Sequence, residues 1–129
     1  MEYAIENEYL IVTVTTWGAQ VKSVVRKFDD VEHMWQADER VWGYHAPILF
    51  PHTGKVVDDL IETKGEVYQA KQHGFARLME HTLVRQTEDT IVMELRSSEE
   101  TLRIFPYAFR LVSTFTLDGD TLHHKLTGE

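Results

Sequence analysis

The sequence predicts an all-β protein built as an antiparallel β-sandwich. Three observations carry this. Short runs rich in Val, Ile, Thr and Phe recur along the chain, several alternate apolar and polar residues at period two, and turn pairs such as Asp118-Gly119 stand between them. Helical patterning is confined to one or two short stretches. The 129 residues are read as one domain, 1–129.

Taken in order, Leu10 to Thr15 is a β-branched strand closed by Gly18. Val21, Val24 and Val25 mark a second strand, ended by Asp29-Asp30. Asp38-Glu39-Arg40 suits a single helical turn. Leu60-Ile61-Glu62 and Val67-Tyr68 flank Lys64-Gly65 as a hairpin, and Thr82–Gln86 with Thr90–Leu95 flank Glu88-Asp89 as another. In Thr90–Leu95, Ile91, Met93 and Leu95 share one face. Ser97-Ser98-Glu99-Glu100 opens a short capped helix that Pro106 stops. Phe109, Leu111, Ser113, Phe115 and Leu117 alternate with polar residues as a half-buried strand, and Thr121 to Leu126 returns from the Asp118-Gly119 turn.

Charge and composition exclude several functions. The formal net charge is -8 and the basic residues are scattered, so a nucleic-acid backbone is not an expected partner. There is no cysteine, which removes disulfides, thiolate nucleophiles and Cys-type zinc sites. No apolar run is long enough to cross a bilayer and the N-terminus has no secretory pattern, so no membrane association and a cytoplasmic location are expected.

Two irregular stretches hold the candidate chemistry. Ala46 to Lys55 contains two prolines and a glycine around Ile48, Leu49 and Phe50. Such a segment must bury its apolar residues without regular backbone pairing, a frequent way of building a site. Gln72-His73-Gly74-Phe75-Ala76-Arg77 sets an imidazole and a guanidinium around a glycine and an aromatic ring. Planar polar groups bind sugar hydroxyls, and aromatic faces cover the apolar C–H patch of a pyranose. His45 and His52 flank Ala46 to Pro51 and are placed at the same cleft, with Trp42 and Tyr44 as platform rings. Trp17, Trp35 and Trp42 are otherwise expected in the core. His33 and His81 fall in predicted strands as structural or exposed residues. Adjacent His123 and His124 point to opposite faces of a strand and cannot converge on a metal.

Together the motifs and their order resemble the galactose mutarotase-like (aldose 1-epimerase) family, in particular its LacX-type bacterial branch. A strand pair ends in Gly18-Ala19, Trp35-Gln36 follows, Pro47 to Lys55 matches the family's PxLFPxxGR pattern, His73 to Arg77 reads HGFAR, and Phe105 to Phe109 resembles YPYxF. The resemblance implies a β-supersandwich with a sugar cleft and a reaction that interconverts the α and β anomers of an aldose. It implies no metal and no cofactor. In that reaction a carboxylate base takes the C1 hydroxyl proton and a histidine acid protonates the ring oxygen. His73 takes the place of the histidine that binds and polarises the sugar, and is the one catalytic candidate in this chain. Lys55 stands where the family has an arginine that contacts hydroxyls or a phosphate. A lysine keeps the charge and loses the planar fork. The candidate substrate-binding set is Lys55, His73, Arg77, Phe75, Trp42, Tyr44 and His52, for a hexose or hexose phosphate.

The resemblance also implies that this is the N-terminal half of such a domain. The family's catalytic histidine, its hydroxyl-binding aspartate and its catalytic glutamate belong to the other half. Asp58 and Asp59 are weighed as carboxylate partners for His73 and read as turn residues. The chain is therefore expected to be a mutarotase-like protein of carbohydrate metabolism, with a non-catalytic carbohydrate-binding or regulatory module, or an incomplete chain with little activity of its own, as the alternatives. The last predicted strands have no proline, so a homo-oligomer joined through sheet edges or faces is also expected.

Overall fold

A computed structural model describes residues 1–129. Ten strands form two four-stranded antiparallel sheets and one separate hairpin. The first sheet holds β1 (Glu2–Glu6), β2 (Leu10–Thr15), β3 (Gln20–Arg26) and β4 (Val31–Glu32), in that spatial order. β5 (Leu60–Thr63) and β6 (Glu66–Gln69) pair only with each other. The second sheet holds β7 (Thr82–Gln86), β8 (Thr90–Arg96), β9 (Arg110–Asp118) and β10 (Thr121–Gly128), with β7 and β10 at its edges. The all-β antiparallel class and the three predicted hairpins are as the sequence implies. No helix is long and apolar enough to cross a membrane.

The period-two patterns set the core. Val12 and Val14 of β2 face Ile91 and Met93 of β8 and Phe115 of β9 in one cluster, and all five are fully buried. Register explains the layers: Ile91 lies opposite Phe115, Met93 opposite Ser113 and Leu95 opposite Leu111. Ser113 is fully buried and its hydroxyl has no partner. On the other side of β9, Leu117 lies opposite Leu122, Phe115 opposite His124 and Ser113 opposite Leu126. The His124 ring stacks on Phe115 at 4.2 Å. Leu126 is 49% exposed.

The helix α1 (Glu99–Leu102) is short for a local reason. Ser98 accepts from the Thr101 N–H while Thr101 Oγ1 accepts from the Ser98 N–H, a reciprocal cap that starts the turn.

One seam joins the two sheets. The Gly18 N–H donates to the Met79 carbonyl at 2.8 Å, and the His81 N–H donates to the Thr16 carbonyl at 2.8 Å. Gly18 has φ +73°, and a Cβ there would stand 2.8 Å from the Arg77 carbonyl oxygen. Only glycine fits both demands. His81 is buried, just before β7 rather than within a strand. Its Nε2–H donates to the Ala76 carbonyl at 3.0 Å, which fixes the neutral tautomer and leaves Nδ1 without a partner.

Burial lowers the His81 pKa, by disfavouring the charged ring. The consequence has a definite sign. Above the unfolded-state value near pH ~6.5 both states hold a neutral ring and the fold keeps its full stability. Below it the unfolded chain binds a proton that the folded chain refuses, so stability falls toward the depressed folded-state pKa. Urea unfolding at pH 7.5 and pH 5.5 should show this loss, with a slope of at most about 1.4 kcal/mol per pH unit for this one group. A His81→Gln protein with the same pH slope as the parent would assign the effect elsewhere.

The tryptophans depart from expectation. Trp17, Trp35 and Trp42 are 49%, 43% and 47% exposed, so none is a core residue. The aliphatic inner faces of the strands fill the interior, and the indoles lie on loops outside it.

Candidate functional site

The two irregular motifs are fastened to each other through their backbones. The Gln20 side-chain carbonyl accepts from the His45 and Ala46 N–H groups at 2.6 and 2.8 Å, which fixes where the first loop begins. Ile48 anchors its middle in the core at 5% exposure. The Phe50 carbonyl then accepts from the Phe75 N–H at 2.9 Å and the Ala76 N–H at 3.2 Å. Finally the His73 N–H donates to the Gly54 carbonyl at 3.0 Å, and the Gly54 N–H donates to His73 Nδ1 at 2.8 Å. A backbone N–H can only donate, so Nδ1 is an acceptor and the neutral ring carries its proton on Nε2. Gly54 thus sets the tautomer of His73 and places it beside Lys55, the next residue along and an exposed one.

Glycine 74 permits this closure. Its φ is +72°, and a Cβ would lie 2.1 Å from the Phe50 carbonyl oxygen. His73 itself sits at φ +64°, a left-handed conformation held by the two bonds to Gly54.

Arg77 belongs to a second group of rings. Its guanidinium lies 4.9 Å from the Tyr44 ring centroid, and Trp42 lies 5.8 Å beyond Tyr44 at a tilt of 48°. One Arg77 N–H donates to the Gln72 carbonyl at 3.2 Å, while Nε is buried with no partner. A turn presents Trp42: the Val41 and Trp42 N–H groups donate to the Asp38 carbonyl at 2.9 and 2.8 Å. Arg40, hydrogen-bonded to the Asp38 carboxylate, holds that carboxyl below its ordinary range. Trp35 Nε1–H donates to the Trp42 carbonyl at 2.8 Å, and His45 Nδ1–H to the Trp35 carbonyl at 2.7 Å, so the platform loop is braced from below.

The structure therefore brings His73 to the Lys55 loop and Arg77 to Tyr44 and Trp42. It separates the other two candidates. Phe75 is 8% exposed, within an aromatic cluster with Phe50, Phe105 and Phe109. Phe75 and His52 line a cavity beneath the β5–β6 hairpin, whose lining does not include Lys55, His73 or Arg77. Asp58 and Asp59 form a tight turn, both with φ +56°. Gln20 was not singled out from the sequence, because its work is done through one side-chain amide, and Gly54 was read only as a breaker of regular structure.

These features have counterparts in known proteins. The family profile of aldose 1-epimerases matches residues 1–129. The plasmid and chromosomal LacX proteins of Lactococcus lactis subsp. lactis are each 33% identical over 127 residues, covering 95% of this chain and 42% of theirs. The galactose mutarotase related enzyme of Lactobacillus acidophilus superposes with a TM-score of 0.96 at 36% identity, over 98% of this chain and 42% of that one. A galactose mutarotase-like protein of Lactobacillus casei ATCC 334 gives 0.96 at 31% identity, over 99% and 44%. The chain spans less than half the length of these relatives. With all of its residues 1–129 matched by the family model, this chain belongs to the aldose 1-epimerase family.

Proposed function

We propose that this chain holds the sugar-gripping part of a mutarotase-like site and binds a hexose. The observation that carries the reading is the lock between Gly54 and His73, which leaves an Nε2–H donor beside a lysine. The Arg77 guanidinium adds further donors, beside the rings of Tyr44 and Trp42. A pyranose laid on those rings presents its hydroxyls to these donors. In a longer protein of this family the same grip would hold an aldose while a carboxylate and an imidazole open its ring. A cytoplasmic location fits this reading.

A binding rather than catalytic role for the chain alone is favoured by one observation. The one imidazole–carboxylate pair within 4.0 Å is His123 with Asp118, at the exposed end of the β9–β10 hairpin. His73 has a peptide N–H, not a carboxylate, on its Nδ1.

Titration calorimetry or NMR with galactose, glucose and a hexose 6-phosphate tests the grip. Arg77→Ala should weaken hexose binding roughly tenfold to a hundredfold, the usual range for removing a charged hydrogen-bond donor. Lys55→Arg should strengthen it by restoring the planar fork. Unchanged affinity in Arg77→Ala would reject the site.

We propose further that β10 pairs with a second copy. It is an edge strand of eight residues with no proline, carrying the half-exposed Leu126. Sedimentation at micromolar concentration should give a dimer, and Leu126→Lys should shift it toward monomer. A clean monomer mass for the parent would refute this.

A further inference from the structure

Strand β3 fastens the loop of platform rings at both of its ends, each time through a glutamine side chain. Gln36 Nε2–H donates to the Lys22 carbonyl at 3.1 Å, from an exposed position. Gln20, the first residue of β3, accepts the His45 and Ala46 N–H groups on its one side-chain oxygen. Between these two points, residues 37–44 hydrogen-bond only among themselves and with Trp35. The position of Trp42 and Tyr44 over the body therefore depends on the two ends.

Gln20 is the stronger of the two holds. It is 8% exposed, while its neighbour Val21 belongs to the core cluster. Successive strand residues face opposite ways, so Gln20 points away from that core and is covered from outside. Its carbonyl oxygen has two lone pairs, and the two N–H groups use both. Those N–H groups are the last before Pro47, which has none to give. Without the oxygen both donors lose their partner, and the loop regains one only by moving out to water.

The same stretch of backbone touches the other side of the grip. Gly18 lies against Arg77: a Cβ there would stand 2.8 Å from the Arg77 carbonyl oxygen. Tyr44 is the residue just before His45. Residues 18–20 thus seat Arg77 at one end and the neighbour of Tyr44 at the other. The 4.9 Å contact between the guanidinium and the Tyr44 ring is set across these three residues. A side chain at position 20 that is shorter, or that accepts poorly, changes this spacing and leaves the Gly18 seat as it is.

We infer, resting on the hexose grip proposed above, that Gln20 is a positioning residue of that grip: its side-chain amide holds Tyr44 and Trp42 at the distance from Arg77 at which rings and guanidinium engage one sugar. Two variants of the 129-residue protein test this. Gln20→Met keeps the length and offers only a weakly accepting sulfur, while Gln20→Asn keeps the amide and falls one methylene short. In each, the His45 and Ala46 amide protons should move upfield in the NMR spectrum and exchange faster. The Arg77 Nε–H signal, shielded in the parent by the Tyr44 ring, should move toward its free-chain value. The Gly54 and His81 amide signals should stay in place, which separates a lost aim from a lost fold. Galactose affinity by titration calorimetry should fall about tenfold. Unmoved Arg77 and His45 signals would overturn the inference, as would Gly54 and His81 signals that shift along with them. So would affinity kept within about twofold by both variants of a parent that binds galactose. A parent that binds no galactose rejects the hexose reading by itself, and the NMR signals then decide whether Gln20 aims the rings.

Discussion

Fresh α-galactose added to the purified chain should mutarotate no faster than in buffer. General acid and base groups each contribute about 10²–10⁴-fold to such proton transfers. The reaction needs both, one at the C1 hydroxyl and one at the ring oxygen. Within the chain the one imidazole within 4.0 Å of a carboxylate is His123, at the exposed end of a hairpin far in sequence from the grip. Asp58 and Asp59, the carboxylates weighed as partners of His73, are committed to a turn with positive φ. Polarimetry at several sugar concentrations reads the outcome directly. A saturable rate well above buffer would refute the expectation and place His73 or His52 in the acid role, which His73→Gln and His52→Gln would then separate. Binding of galactose without a rate is the predicted pair of results.

The second large effect is structural. Gly74→Ala should destabilise the fold by about 3 kcal/mol or more, combining left-handed strain with a backbone collision. The added Cβ would stand 2.1 Å from the Phe50 carbonyl oxygen and 2.7 Å from Pro51 Cδ. Neither is the end of a flexible side chain, so relief requires the two motifs to separate. That separation breaks the bonds from Phe75 and Ala76 to the Phe50 carbonyl and frees His73 from Gly54. Thermal unfolding should fall by roughly 10 °C, and hexose binding should vanish together with it. A Gly74→Ala protein melting within about 2 °C of the parent would show that the closure is slack.

How far the sequence could be read follows from which forces act locally. β2 was legible from its β-branched run and β9 from its alternation, and the alternation in β8 and β9 grouped Ile91 and Met93, and Leu111, Phe115 and Leu117, on faces that prove to be core. β1 was not legible: Glu2-Tyr3-Ala4-Ile5-Glu6 buries only Ile5 and owes its strand to pairing with β2. The tryptophans misled because their size argues for the interior, whereas position on loops outside the sandwich decides. The two motifs were legible as residue types. Their joining through the Phe50 carbonyl and Gly54 was not, because it depends on where two loops meet in space. The contact of Arg77 with Tyr44, 33 positions apart (77 − 44) in the chain, is of the same kind.

The nearest-neighbour order of both sheets has a kinetic consequence. Every strand pair in the molecule joins consecutive strands, so each sheet can assemble as a meander by closing short loops. Short closures cost little entropy and are fast. The seam is different in scale: Thr16 must find His81, and Gly18 must find Met79, across the whole intervening chain. The four-stranded units should accordingly form early, and their docking through the Gly18 seam should set the refolding rate. Substitutions at the seam would then slow refolding, while those in the β5–β6 hairpin would leave that rate alone.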